Sequence, residues 1–385
     1  MIRFNQTDIT EAEESTVLKA LRSGQLASDG EFTEKLRADF EQRFGRKAIM
    51  TTSCTDALEM GCLLADLKPG DEVIVPSYTF SSTALAPYRC GAKIVFCDVD
   101  LETGMLDSSD LKACLNGRTK AIVPIHYSYR PYDYQKIKHV IQDHCDQVKI
   151  IEDAAQGFGI SGEGQLCGAM GDFSAFSFHQ TKSLCGGELG AFLYDDEYHE
   201  RAEFLAQKGT DRSKVVAGQK NKYTWVDTGS SFEASNILCA LLYGQLEREK
   251  ELHQKREAVW HAYHDVVGDL KEIIQKYVRI VPTLSNDFVS NYHGYWLAFH
   301  TSELRQRFLD ASIKNGLQSY IGYSDLATSP MAARSDQVNA RACPNSQFLG
   351  ETVVRLPVWS MNEVEVDAAK KAFMNALMQL DAESD

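Results

Sequence analysis

The chain has 385 residues, 44% of them hydrophobic, and a formal charge of −14. That length exceeds what one hydrophobic core usually serves, so a large domain with a smaller companion is expected. The bulk negative charge argues against nucleic acid as the main partner, and no apolar run reaches the roughly 18 residues of a membrane-spanning helix.

The N-terminus, MIRFNQTDITEAEE, turns acidic within a few residues and lacks the apolar core of a signal peptide, so the cytoplasm is the expected location. Five short apolar runs follow: KAIMTTS, DEVIVPS, KIVFCDVD, KAIVPIHY and VKIIEDAA. They alternate with helical patterns, which is the rhythm of an α/β domain with a largely parallel sheet. Between the first two, Cys54 to Asp66 carries Ala57, Leu58, Cys62 and Ala65 along one helical face. A long helical stretch from about Asn236 to Val267 looks like a connector into a second domain. Beyond it come a strand-like NYHGYWLAFH, a helix from Ser302 to about Asn315, the short strand VVRLPVWS and a final amphipathic helix, enough for a small α+β domain. The expected division is a large domain over 1–240 and a connector plus small domain over 241–385.

Cysteines at 54, 62, 90, 97, 114, 145, 167, 185, 239 and 343 form no CxxC pair, so neither a zinc site nor a secreted disulfide framework is expected, and reduced thiols are the default. A small phosphate remains compatible with the acidic chain, because a local nest of backbone N–H groups can hold one.

Ligands of open α/β sheets gather beyond the carboxyl ends of the strands, and the chemically interesting residues fall there. Ser53 and Thr55 follow the first run, at a helix start that favours either a phosphate or ordinary N-capping. Phe80 follows the second, placed for stacking on a ring or for the core. Asp153 ends the fifth; it reads as a buried carboxylate or as a cap, and Gln156 three residues on as a ligand contact or a surface amide. Lys182 lies between the apolar FSAFSF and the Gly186-Gly187 turn. A lysine that forms a Schiff base must lose its proton, which near neutrality needs such a partly desolvated setting; a solvated lysine is the alternative. His179 suits either a ligand contact or a structural hydrogen bond.

Together, TTSCTDALEM, PGDEVIVPSYTFSSTA, GAKIVFCDVD, IEDAAQGFG and FSFHQTKSLCGGELGAF resemble the sugar aminotransferases of the DegT/DnrJ/StrS type, in the fold type I, aspartate aminotransferase-like group that uses pyridoxal 5'-phosphate. KGTDRSKVVAGQKNKYTWVDTGSSF and GQLASDGEFTEKLRADFEQRFG are similar to the enzymes that aminate carbon 4 of dTDP-4-keto-6-deoxyglucose. The resemblance implies that Lys182 attaches the cofactor covalently and later shuttles the proton, and that Asp153 pairs with the pyridine nitrogen. It places Gln156 at the ring oxygen, Phe80 on the ring face, and Ser53, Cys54, Thr55 and Ser177 around the phosphate. His179, Tyr129, Tyr320 and Lys220 would meet the substrate. No metal is implied. Nitrogen would pass from glutamate to the cofactor and then to the keto sugar, for a bacterial surface glycan. Such enzymes are usually homodimers with shared active sites, so Lys220 to Ser231 is the segment expected to reach the partner.

The sequence departs from the family pattern at Phe232-Glu233, where many relatives have an asparagine, at Gly322 and Ala327, where histidines are common, and at Tyr129, where glycine is usual. These positions touch the expected substrate wall and spare the cofactor residues. A 3-aminotransferase acting on a 3-keto isomer is the nearest alternative, and a non-catalytic regulator on the same fold the more distant one.

Overall fold

The strands that carry the site come from short runs that are β-branched in β1 (Lys47–Thr51), β2 (Glu72–Pro76), β3 (Lys93–Cys97), β4 (Thr119–Ile122) and β5 (Lys149–Ala154), and aromatic in β6 (Phe173–Ser177) and β7 (Gly190–Tyr194). These are elements of a computed structural model, which describes residues 1–143 and 147–383. With β11 (Val338–Asn339) they form an eight-stranded sheet in the order β1-β7-β6-β5-β4-β2-β3-β11, parallel except where β7 runs against both neighbours. All five residues of β2, of β6 and of β7 are buried, as expected of a sheet covered on both faces. Cys145 lies outside the described residues, and the other nine cysteines are free thiols.

Helices close the faces: α1 (Glu11–Ser23), α2 (Glu31–Phe44), α3 (Cys54–Leu64), α4 (Ser81–Arg89), α5 (Ser108–Cys114) and α6 (Tyr134–Gln142). The face expected between Cys54 and Asp66 is the buried face of α3, and Gly61 lets that helix lie against β5, since a Cβ there would stand 3.0 Å from Ile151 Cγ2. The long connector is two helices, α7 (Asn236–Glu247) and α8 (Glu249–Asp269), separated at Arg248. That break has a partner: the Arg248 guanidinium meets Asp8 and the buried Glu13 at 3.1 and 2.8 Å, tying the joint to α1.

A second sheet, entirely antiparallel, has the order β8-β9-β12-β10, from β8 (Val278–Ile280), β9 (Tyr295–Phe299), β10 (Tyr320–Ile321) and β12 (Val353–Leu356). It is backed by α9 (Ser302–Lys314) and α11 (Glu363–Ala382), with α10 (Pro344–Thr352) alongside. Its core joins Trp260 and Tyr263 of α8 to Tyr295, Phe308 and Phe373. The chain is thus a large, mostly parallel α/β domain with a smaller α+β one, the expected fold class. The start of the chain belongs to the small sheet in space: Ile2 N–H donates to Gly316 O at 2.7 Å, and Gln318 N–H to Ile2 O at 2.9 Å. No described helix is long and apolar enough to cross a membrane.

Candidate active site

A cavity of about 750 Å³ opens where the carboxyl ends of β1, β2, β5 and β6 face the small domain. It gathers Ser53, Cys54, Thr55, Phe80, Asp153 and Gln156 from the large domain, with Ser177, His179 and Lys182 beside them. Nine positions spread over 130 residues therefore share one wall.

At one end, β1 runs out and Ser53 caps α3, its Oγ accepting from Asp56 N–H at 3.1 Å and donating to Asp56 Oδ2 at 2.9 Å. Capping and phosphate binding are compatible here: the cap takes the Asp56 N–H, while Cys54 and Thr55, at helix positions whose N–H groups have no intrahelical partner, line the cavity. The Thr55 and Ser82 hydroxyls meet at 2.8 Å. Gly190 makes room for this turn, because a Cβ there would come within 2.5 Å of Ser53 O and 2.6 Å of Cys54 N. Burial pushes the Cys54 thiol well above its usual range, so it stays a neutral side chain.

In the middle, β5 alternates two carboxylates. Asp153 points into the cavity, where Oδ2 accepts from Thr83 Oγ1 at 2.7 Å and Oδ1 from Ala155 N–H at 3.2 Å. Burial raises its pKa against the opposing effects of those bonds and of Lys182. Glu152, on the opposite face by the strand's period of two, is fully buried. It accepts from His126 Nε2, Ser174 Oγ and the N–H groups of Gly168, Met170 and Gly171, all within 2.9 Å. Burial opposes ionisation of Glu152, yet the His126 and backbone hydrogen bonds hold its pKa below the usual range. Gln156 is buried and engaged at both ends: Oε1 accepts from Ser128 N–H at 2.6 Å, and Nε2 donates to the Tyr323 hydroxyl at 2.5 Å.

Lys182 sits in a tight loop, its N–H donating to His179 O at 2.8 Å while Gly187 turns the chain at φ 80°. Its amine is driven towards the neutral form by burial, assisted by the Arg355 charge and opposed by Cys54 and Asp153. His179 lines the same wall, with Nδ1 and the Thr181 hydroxyl 2.9 Å apart and Nε2 3.3 Å from Glu188. Phe80 is 59% exposed at the cavity mouth, its ring 6.3 Å from that of Tyr323.

Three expected substrate contacts lie outside this cavity, Tyr129 and Tyr320 held by packing and Lys220 by an ion pair on the segment expected to reach the partner. Tyr129 is 1% exposed, wedged against Trp260 and Phe288, with its hydroxyl accepting from Thr283 N–H at 3.1 Å. Tyr320 lies outside the cavity lining, edge-on to Phe4, and its hydroxyl accepts from Gln318. Lys220 pairs with the buried Asp211. Gly322 does line the cavity, and a Cβ there would collide with the Tyr78 hydroxyl and stand 2.8 Å from Val353 Cγ1, so the packed side chains of Tyr78 and Val353 leave no room for a larger residue.

Sequence reasoning missed several wall residues. Arg355, in the run read only as the strand VVRLPVWS, lines the cavity with its guanidinium 5.3 Å from the Tyr323 ring centre and 5.4 Å from that of Phe4. Its Nε donates to Ile321 O at 3.0 Å, and no carboxylate pairs with it among the described residues. His293 is half-buried, its Nδ1 3.0 Å from the Ser183 hydroxyl, and desolvation, Arg256, Lys182 and Arg355 press its pKa well below the usual value. Phe4 and Asn5 arrive from the chain start. Strand alternation was legible for Arg355; which face met the cavity was not.

The wall fits pyridoxal 5'-phosphate. A buried carboxylate with spare acceptor capacity suits a ring nitrogen, a desolvated lysine suits covalent attachment, and a helix start cleared by Gly190 suits the phosphate.

The profile of the DegT/DnrJ/EryC1/StrS aminotransferase family matches residues 7–372. An uncharacterized protein of Methanocaldococcus jannaschii, MJ1066, is 27% identical over 359 residues, 91% of each chain. Among solved structures, the aminotransferase TlmJ from Streptoalloteichus hindustanus superposes with a TM-score of 0.87 at 26% identity, covering 99% of this chain and 100% of its own. The PLP-form of Spr1654 from Streptococcus pneumoniae gives 0.89 at 23% identity, covering 98% and 99%.

Proposed function

Because the chain belongs to the DegT/DnrJ/EryC1/StrS aminotransferase family, we propose that it uses pyridoxal 5'-phosphate to move an amino group from glutamate to a nucleotide-linked keto-deoxy sugar. The observation that carries this reading is that Lys182 and Asp153 line one cavity large enough for a cofactor and a sugar together. When bound, the cofactor supplies an electron sink at the carbon that gains or loses the amine. Asp153 holds the ring nitrogen's proton. Lys182, whose amine burial drives towards the neutral form, would attach the cofactor and, once released, would carry the proton to or from the substrate carbon. Ser53, Cys54, Thr55 and Ser177 grip the phosphate, Gln156 meets the ring oxygen and Phe80 covers the ring. Arg355, paired with no carboxylate among the described residues and close enough to Lys182 to bear on its charge, receives the carboxylate of the amino donor, which a guanidinium can bind through two parallel hydrogen bonds.

The substrate assigned is dTDP-4-keto-6-deoxyglucose, aminated at carbon 4 in the cytoplasm for a surface glycan, on the strength of the KGTDRSKVVAGQKNKYTW motif. The two units divide near residue 240, as 1–240 and 241–385, with two exchanges: Ile2 pairs beside Leu317 of the small unit and Val338–Asn339 joins the large sheet. The working unit is a homodimer with shared sites; in its support, Val216, Tyr223 and Trp225 are 75, 55 and 80% exposed on one segment, unusual for large apolar side chains without a covering surface. Incubation with glutamate and a panel of nucleotide keto sugars, with the product identified by NMR, tests the assignment. An equatorial or axial amine on carbon 4 is expected; an amine on carbon 3 rejects the regiochemistry. A normal glutamate half-reaction with no sugar aminated rejects the substrate.

A further inference from the structure

At the far edge of the large sheet a second cavity, about 290 Å³, is lined by Cys114, Arg118, Arg341 and Lys93 among others. Cys114 ends α5 and Cys97 ends β3; their sulfurs and the Asp110 carboxylate lie within 4.8 Å of one another. Arg341, on the segment that follows β11, reaches in so that Nη1 is 2.8 Å from Cys114 Sγ and 2.6 Å from Asp110 Oδ2. Two cysteines and a carboxylate at that spacing suggest a metal. The guanidinium stands where the cation would, and the same Asp110 oxygen also accepts from Asp98 N–H at 2.7 Å.

The arrangement suits thiol chemistry instead. We propose that Cys114 and Cys97 are a peroxide-oxidisable dithiol, Cys114 the attacking sulfur and Cys97 the resolving one. Hydrogen bonding from Cys97 and the Arg341 charge lower the Cys114 pKa against burial and Asp110, while Cys97 is pushed up. Access divides the roles the same way: Cys114 lines the cavity, and Cys97 is 0% exposed behind it. The Cys114 thiolate attacks a hydroperoxide oxygen; the S–O bond forms, the O–O bond breaks, and the leaving oxygen departs as water or an alcohol. Cys97 then attacks Cys114 Sγ; the S–S bond forms, the S–O bond breaks, and hydroxide leaves as water with the Cys97 proton. Two thiols lose two electrons and one peroxide gains them. The bridge pins α5 to β3 and deprives Arg341 of its sulfur partner.

The test is to treat the full-length, cofactor-loaded protein with hydrogen peroxide, alkylate the remaining thiols and map unreduced peptides by mass. A Cys97–Cys114 cross-link, two hydrogens lighter and reversed by dithiothreitol, is expected. Cys97→Ser should instead leave a dimedone-reactive sulfenic acid on Cys114, and Arg341→Gln should slow Cys114 oxidation about fivefold, with Arg341→Lys restoring most of the rate. Cross-linking confined to other cysteines, no cross-link in the wild type, equal rates in Arg341→Gln, or stoichiometric zinc that shields both thiols would each overturn the proposal. The wild-type map alone decides even if a variant fails to fold.

Discussion

The Gln156 amide donates to the Tyr323 hydroxyl at 2.5 Å, and this bond joins the end of β5 in the large domain to the loop that follows β10 in the small one. Tyr323→Phe leaves a buried N–H without its partner, at a cost of about 1–3 kcal/mol. The expected result is a dissociation constant for pyridoxal 5'-phosphate raised about tenfold, read by fluorescence titration. An unchanged constant would show that the tyrosine does not position Gln156.

Lys182→Ala removes the attachment point and the proton carrier together. Turnover should fall at least about a thousandfold, and borohydride treatment should fix no cofactor to the variant, whereas the wild type gains the reduced cofactor's mass on the Lys182 peptide. Cofactor fixed on another lysine would relocate the chemistry.

Asp153→Asn separates catalysis from stability. The folded-state pKa of Asp153 is raised by burial, so its favourable, protonated form is fully present below the ordinary carboxylate pKa and is lost as pH rises through the raised value. Without cofactor, the variant should therefore melt about 1–3 °C above the wild type at pH 8 and show no such advantage near pH 4. Turnover should fall more than about a hundredfold at every pH. A variant that melts lower at pH 8 would contradict the burial argument.

Glu152 behaves with the opposite sign. Its pKa is depressed by the His126 and backbone hydrogen bonds, so its contribution is present above the ordinary carboxylate value and lost as pH falls through the lowered one. Glu152→Gln should cost about 3 kcal/mol at pH 7, since it breaks a fully buried network. The difference from wild type in urea unfolding should shrink below about pH 4.

Gly190→Ala tests the cradle. The added methyl meets the Ser53 carbonyl and the Cys54 amide, both backbone, so the turn must move. Cofactor affinity should drop by at least about tenfold with a stability loss of about 1–3 kcal/mol. Full retention of affinity in equilibrium dialysis would show that the phosphate binds elsewhere.

The strands at the heart of the large sheet were readable because doubly buried strands write themselves as unbroken apolar runs. The cofactor wall was readable because Ser53, Asp153 and Lys182 each stand at the end of such a run. The break at Arg248 was not, since a helical pattern runs straight through it and only the distant partners Asp8 and Glu13 reveal the joint. Arg355 and His293 were hidden for a related reason. Each lies in a segment whose local pattern says strand, and only the packing of one domain against the other decides which side chains meet the cavity. Tyr129 shows the converse, a polar-tipped ring that a loop reading sent to the substrate and that the core took for its volume.

The last strand of the large sheet, Val338–Asn339, pairs in parallel with Ile94 and Val95, residues made some 240 positions earlier. During synthesis at roughly 5–20 residues per second, that interval leaves the β3 edge open for tens of seconds. An unpaired edge is a template for other chains, so the nascent protein carries a timed vulnerability that ends only when Val338–Asn339 emerges. Slower elongation between β3 and β11 should favour aggregation, and a chain cut before β11 should depend on chaperones in a way that one carrying β11 does not.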